Sequence, residues 1–211
     1  MNSPDPVDPP IGAAAEADHR AFRKLVQRLR AEAETALHLA EILRGFERIT
    51  DLRGSLDERG AGPATTLIGQ AVIDALVAHL MEMAERKKQH RACLPNIFQR
   101  LEAPQTRLLC LAGDAEQEAL LAGAEEQWAV LLAGAAADLK LARIRNHHLA
   151  DNLMGGAEVQ VKLQEVYGLL DGLLPIVEDM SRLTGIATES LEAMRQAAAD
   201  KADRFWQGFA A

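Results

Sequence analysis

Phe22-Arg23-Lys24-Leu25-Val26-Gln27-Arg28-Leu29-Arg30 sets the fold class. Its apolar residues, Phe22, Leu25, Val26 and Leu29, step by three and four, the spacing that gathers side chains on one stripe of an α-helix. The same step continues through Ala33, Ala36, Leu37, Ala40, Ile42 and Leu43, so one helix is expected from Ala13 to Arg44. Its cations, Arg20, Arg23, Lys24, Arg28 and Arg30, fall mostly on the opposite side, where a solvated face accounts for them.

The period returns along most of the chain. Leu67, Ile68, Ala71, Val72, Ala75, Leu76, His79, Leu80 and Met83 form the buried face of a second helix. Pro63 opens it, because proline is tolerated in a first helical turn. His79 on that face reads as a core histidine with a hydrogen-bond partner. Between these helices, Thr50–Gly62 is rich in Gly, Asp and Arg and reads as a loop. Glu85–Arg91 reads as a basic connector, and Leu94–Leu101 as a short helix with Pro95 in its first turn.

Pro104 opens the longest helical run, with Leu108, Leu111, Leu120, Leu121, Ala124, Trp128, Leu131, Leu132, Ala135, Leu139 and Ala142 in period until Gly155-Gly156. Val159–Leu183 is the next helix, kinked by Gly172 and Pro175 and stopped by Gly185. Thr188–Phe209 is a last amphipathic helix ending in Phe205, Trp206 and Phe209, aromatics suited to dock on the bundle or on a second chain. No period-two strand pattern occurs. The expected fold is all-α: an antiparallel up-and-down bundle of four to five long helices plus one short helix. A Pro-rich leader over residues 1–12, expected to be disordered, precedes a bundle over 13–185 and the C-terminal helix over 186–211.

Composition narrows the function classes. At 211 residues the chain is long enough to bury a sizeable core. Its net charge of −8 makes long-range attraction to nucleic acid or anionic lipid depend on a local basic patch. Cys93 and Cys110 lack metal or redox spacing and read as reduced, buried thiols. The first ten residues lack the apolar core of a signal peptide, and no uncharged apolar run reaches membrane length, so a cytoplasmic protein without a membrane span is expected. Phosphate-binding glycine loops and zinc-protease spacing are absent. Glu16-x-x-His19 is the single match to a di-iron ligand pattern that needs two. No metal and no cofactor are expected.

One segment stands apart: Lys140-Leu141-Ala142-Arg143-Ile144-Arg145-Asn146-His147-His148-Leu149-Ala150-Asp151-Asn152. It concentrates cations, imidazoles and carboxamides in an otherwise Ala/Leu-rich chain. A helix C-terminus favours cations, a structural reason for Lys140, Arg143 and Arg145. Arginine also holds phosphate by bidentate, charge-assisted bonds, and histidine titrates near neutrality.

The order of elements, together with this segment, resembles the HEPN superfamily and within it the AbiU-type abortive-infection branch. The resemblance spans Ala13 to Gly185 and rests on three points. A long helix runs into Arg145-Asn146-His147-His148-Leu149-Ala150-Asp151-Asn152, which looks like that branch's Arg-Asn…Leu-Ala-His signature. A short Leu94-Pro95-Asn96-Ile97-Phe98 helix follows a polar connector, and a further helix, Val159–Leu183, follows the motif. The resemblance implies a helical homodimer found in phage defence or toxin–antitoxin pairs. It binds RNA or an antitoxin-like partner protein, and active members form a metal-independent ribonuclease in which arginine binds phosphate and histidine moves protons.

Two registers compete. In the favoured one Arg145 is the motif arginine, Asn146 its polar follower, and the expected histidine falls on Asp151. A carboxylate there repels phosphate and pairs with Arg145 or Arg143 instead, so the site reads as degenerate. In the other register Arg143 pairs with His148 as an active ribonuclease. His148 lies three residues from Arg145 and can neighbour it, whereas His147 is turned by about 100° from His148. Asn146, His147, Asp151 and Asn152 complete the candidate binding set. A helical adaptor unrelated to nucleic acid is the remaining alternative.

Overall fold

A computed structural model describes residues 11–49, 52–85, 92–111, 114–133, 163–186 and 189–210. Among them run eight helices: α1 (Ile11–Arg48), α2 (Leu52–Glu58), α3 (Gly62–Ala84), α4 (Leu94–Leu101), α5 (Pro104–Leu111), α6 (Ala115–Ala133), α7 (Leu163–Leu183) and α8 (Leu191–Ala210). No strand occurs among the described residues. The fold class is all-α, as expected.

The spine is α1, 38 residues and therefore about 57 Å long. Phe22, Leu25, Val26, Leu29, Ala33, Ala36, Leu37, Ala40 and Leu43 are buried along its inward stripe, as the period requires. Helices α3, α7 and α8 pack along it, and α6 packs on α7. Contacts fix the directions. Glu32 meets His79, and Arg30 and Arg44 meet Glu178 and Asp171, so α3 and α7 run antiparallel to α1. Arg30 lies beside Met194 and Arg48 beside Asp203, so α8 runs parallel to α1. The long helices thus alternate up and down, and the last closes against the first. They approach closely at Gly45, where a Cβ would stand 3.0 Å from the Ala202 Cβ and 3.1 Å from the Trp206 ring.

Four expectations need correction. Thr50–Gly62 is not all loop, because α2 forms within it. Leu56 anchors α2 by burial against Trp206, and Gly60, at φ 73°, ends it. The Gly60 N–H bonds the Asp57 carbonyl and the Ala61 N–H bonds the Leu56 carbonyl, a Schellman termination. The run from Pro104 is not continuous, since α5 stops at Leu111 and Asp114 starts α6 afresh by accepting the Glu116 N–H at 2.9 Å. Arg30 is buried rather than solvated. Finally, the N-terminal half of α3 is uncovered: Leu67 is 72% exposed and Ile68 49%, while Leu76, Leu80 and Met83 further along are buried.

By length and composition alone α3 is long and apolar enough to cross a bilayer, with 22% of that stretch buried, although Asp74 and Glu82 interrupt it, so it is not the uncharged apolar run that the sequence lacks. The short helix α4 has the expected bounds, and Phe98 on it stacks on Trp128 with ring centroids 5.7 Å apart. Helix α7 continues through Pro175 and ends at Gly185, φ 63°, in a second Schellman termination from Gly185 to Arg182 and Ile186 to Ser181. Ser190 caps α8 by accepting the Ala193 N–H. Cys93 and Cys110 are free and buried, and burial pushes the Cys110 thiol up to about 11.

Candidate functional site

Lys140–Asn152 lies outside the described residues, and with it Arg143, Arg145, Asn146, His147, His148, Asp151 and Asn152. The ends that bracket it are described. Leu131 on α6 abuts Gly172 on α7, and Asp179 lies beside Gly123, so the two helices are antiparallel. The C-terminus of α6 and the N-terminus of α7 therefore lie at one end of the bundle.

That end is apolar. Val130 and Leu132 on α6, Leu67 and Ile68 on α3, and Phe205 and Phe209 on α8 are all exposed there. The level follows from α1, whose C-terminal part packs on Ala61, Trp206 and Asp171. Trp206 is the aromatic that docks, donating its indole N–H to the Ile42 carbonyl at 2.8 Å. Its neighbours Phe205 and Phe209 face out, so only part of the C-terminal aromatic cluster is consumed by the bundle.

The densest charged cluster among the described residues joins α1, α7 and α8. Glu41, 3% exposed, accepts from Arg44 Nη1 at 2.7 Å and from Arg48 Nη1 at 3.2 Å, with Arg195 Nε 4.0 Å away. Asp171 bridges Arg44, at 3.0 Å, and Arg195, while Asp203 takes Arg48 at 2.8 Å. The Arg44 guanidinium lies 4.5 Å from the Tyr167 ring centroid, a cation–π contact.

Burial is the largest influence on Arg44 and favours its neutral form. The hydrogen bond to Glu41 and the charge of Asp171 outweigh it and raise the pKa. Arg48 behaves alike: burial opposes the charge, and Asp203 and Glu41 reverse it. Burial, then the Glu47 charge, pushes the Tyr167 phenol far above its usual range, so it is never an anion at physiological pH. The Tyr167 hydroxyl and Arg195 Nε are buried without hydrogen-bond partners. Three arginines face three carboxylates, so the cluster offers no net charge to a ligand and no nucleophile beside a base. It is a strap between helices.

A second strap surrounds Arg30, whose Nε meets Glu34 at 2.8 Å and whose other nitrogens reach Glu178 and the Glu189 carbonyl. His79 contacts Glu32 through Nδ1 at 2.6 Å, the partnered histidine anticipated from its place on an apolar face. Sequence reasoning missed the Glu41 cluster. Its signal was present in Glu41, Arg44 and Arg48, which continue one edge of the apolar stripe by steps of three and four. Among the described residues no three His, Cys, Asp or Glu side chains converge on a metal-sized position. No protein-family model matches the chain, and no curated protein or solved structure matches it.

Proposed function

We propose that the chain is a HEPN-like helical protein that acts by binding, its ribonuclease motif degenerate. The observation that carries this reading is Asp151, which stands where the Arg145-Asn146…Leu149-Ala150 register calls for histidine. A carboxylate that close to a phosphate site raises the cost of binding the anion and does not titrate near neutrality. The all-α bundle is compatible with the reading. So is the exposed apolar end of the bundle, a surface suited to homodimerisation or to a partner protein in a phage-defence or toxin–antitoxin setting.

The test is a ribonuclease assay in EDTA with wild type, Asp151→His and His148→Ala. Intact RNA with wild type and gain of cleavage in Asp151→His support degeneracy. Wild-type cleavage that His148→Ala abolishes overturns it in favour of an active site built on Arg143, Arg145 and His148. That second reading has one observation in its favour: His148 lies three residues after Arg145, within reach on a helix.

A further inference from the structure

Two apolar clusters hold the described residues together, and they differ greatly in size. The large one gathers side chains from α1 and from α3 to α7, and takes Leu191 and Ala198 from α8. The small one is Leu56 and Trp206, with Ile42, Phe46, Ile49 and Ala61 packed against it. Helix α8 therefore straddles both. Its first half reaches the main core, and its second half docks on a satellite of its own.

The two halves are also fastened differently. At the first half, Glu178 accepts from the Leu191 N–H at 3.0 Å and pairs with Arg30, whose side chain is 8% exposed. Arg30 donates to the Glu189 carbonyl as well. Polar contacts this deep are little screened by salt. At the second half Arg48 pairs with Asp203, and 41% and 38% of these side chains are exposed, so salt screens the pair. Ala198 and Ala202 are the buried residues between Leu191 and Trp206, and each removes little apolar surface from water. Trp206 carries the attachment. Its indole N–H bonds the Ile42 carbonyl at 2.8 Å, and its ring meets Phe46 edge-on at 5.1 Å. The fit requires Gly45, because a Cβ there would press on Ala202 and on the Trp206 ring.

We propose that the second half of α8 is a latch. It undocks from α1 and α2 at Trp206 as a unit, while Arg30 and Glu178 keep the first half in place. Salt favours the open form by screening Arg48 from Asp203. Opening uncovers Trp206, Ile42, Phe46 and Leu56 beside the exposed Phe205 and Phe209, so the latch sets how much apolar surface this end of the molecule presents. It operates whether or not the Arg143–Asn152 motif binds a ligand.

The test follows Trp206 in the full chain carrying Trp128→Phe, which leaves Trp206 as the one indole and keeps an aromatic ring against Phe98. Urea is uncharged, so salt is varied separately. Trp206 emission is expected to change at least about 1 M urea before helix content falls in circular dichroism. Raising NaCl from about 0.05 to 0.5 M is expected to increase the open population about threefold, the scale of one exposed ion pair, and Asp203→Asn to abolish that dependence. Gly45→Leu keeps α1 helical, since leucine is a good helix former, but blocks the seat of Ala202 and Trp206. It is expected to leave Trp206 emitting as a solvated indole while the main cooperative melt is retained. Hydrogen exchange in wild type reads the same opening without substitution, with amides of 202–209 exchanging at least tenfold faster than those of α7. Coincident fluorescence and dichroism transitions at both salt concentrations overturn the latch, as does equal protection of 202–209 and α7. Loss of the whole fold in Gly45→Leu overturns it too, by placing Trp206 in the cooperative unit of the core. A salt dependence that survives Asp203→Asn removes Arg48–Asp203 as its cause and overturns the salt-gated form.

Discussion

Arg30, Arg44 and Arg48 point toward the neighbouring helices and each holds carboxylates, whereas Arg23, Lys24 and Arg28 on the same helix meet none among the described residues. The two sets differ by position around the helix, not by residue type. Inward, a guanidinium that loses water must be given hydrogen-bonded anions, and Glu34, Glu178, Glu41, Asp171 and Asp203 supply them. Outward, the cations keep their water. The inward set fastens helices, and the outward set is solvated.

The largest effect that breaks this contrast is expected at Glu41. Glu41→Ala removes the buried anion shared by Arg44 and Arg48 and leaves these partly exposed cations facing one another, a loss of about 2 kcal/mol by chemical denaturation. A loss under about 1 kcal/mol would place the cluster among solvated surface pairs. Next comes Arg30→Lys, which keeps the charge but reaches fewer of the Glu34, Glu178 and Glu189 acceptors and costs about 2 kcal/mol. R23Q/K24Q/R28Q is the opposite case, within about 0.5 kcal/mol of wild type in stability, because exposed unpaired cations contribute little to the fold.

The smallest effect has the reverse sign. Burial between α6 and α7 is the main cause that raises the Asp179 pKa, only partly offset by Arg182. A carboxylate with a folded pKa above its unfolded one costs stability when ionised at neutral pH. The cost disappears once pH falls below the ordinary carboxylate range and both states are protonated. Asp179→Asn is therefore expected to raise the melting temperature slightly at pH 7 and not at pH 3. A lower melting temperature at pH 7 would mean that the carboxylate is held by Arg182 rather than penalised by burial.

Legibility in the sequence followed how local the cause was. The buried stripe of α1 and the bounds of α4 depend on period and proline placement, and both were readable. Helix α2 was hidden because it is rich in turn residues and its buried anchor, Leu56, meets a partner, Trp206, far along the chain. The start of α6 was written as Asp114, a cap residue, but the apolar period on both sides hid it. The direction of Arg30 was misread because it sits on the border of the stripe, and only the acids of α7 and the chain around Glu189 decide which way it turns. The exposed half of α3 was misread for a related reason: its period marks an apolar face, but a period cannot say whether a neighbour covers it. The candidate motif, Arg143 to Asn152, is known from its residues and register alone.

The most direct measurement reads binding and integrity in one tube. Full-length protein is incubated with labelled single-stranded RNA in EDTA at low salt, and the sample is split between a native gel and a denaturing gel. The account predicts RNA that runs intact under denaturation, as the degenerate motif requires. Fragments that vanish with His148→Ala would contradict it.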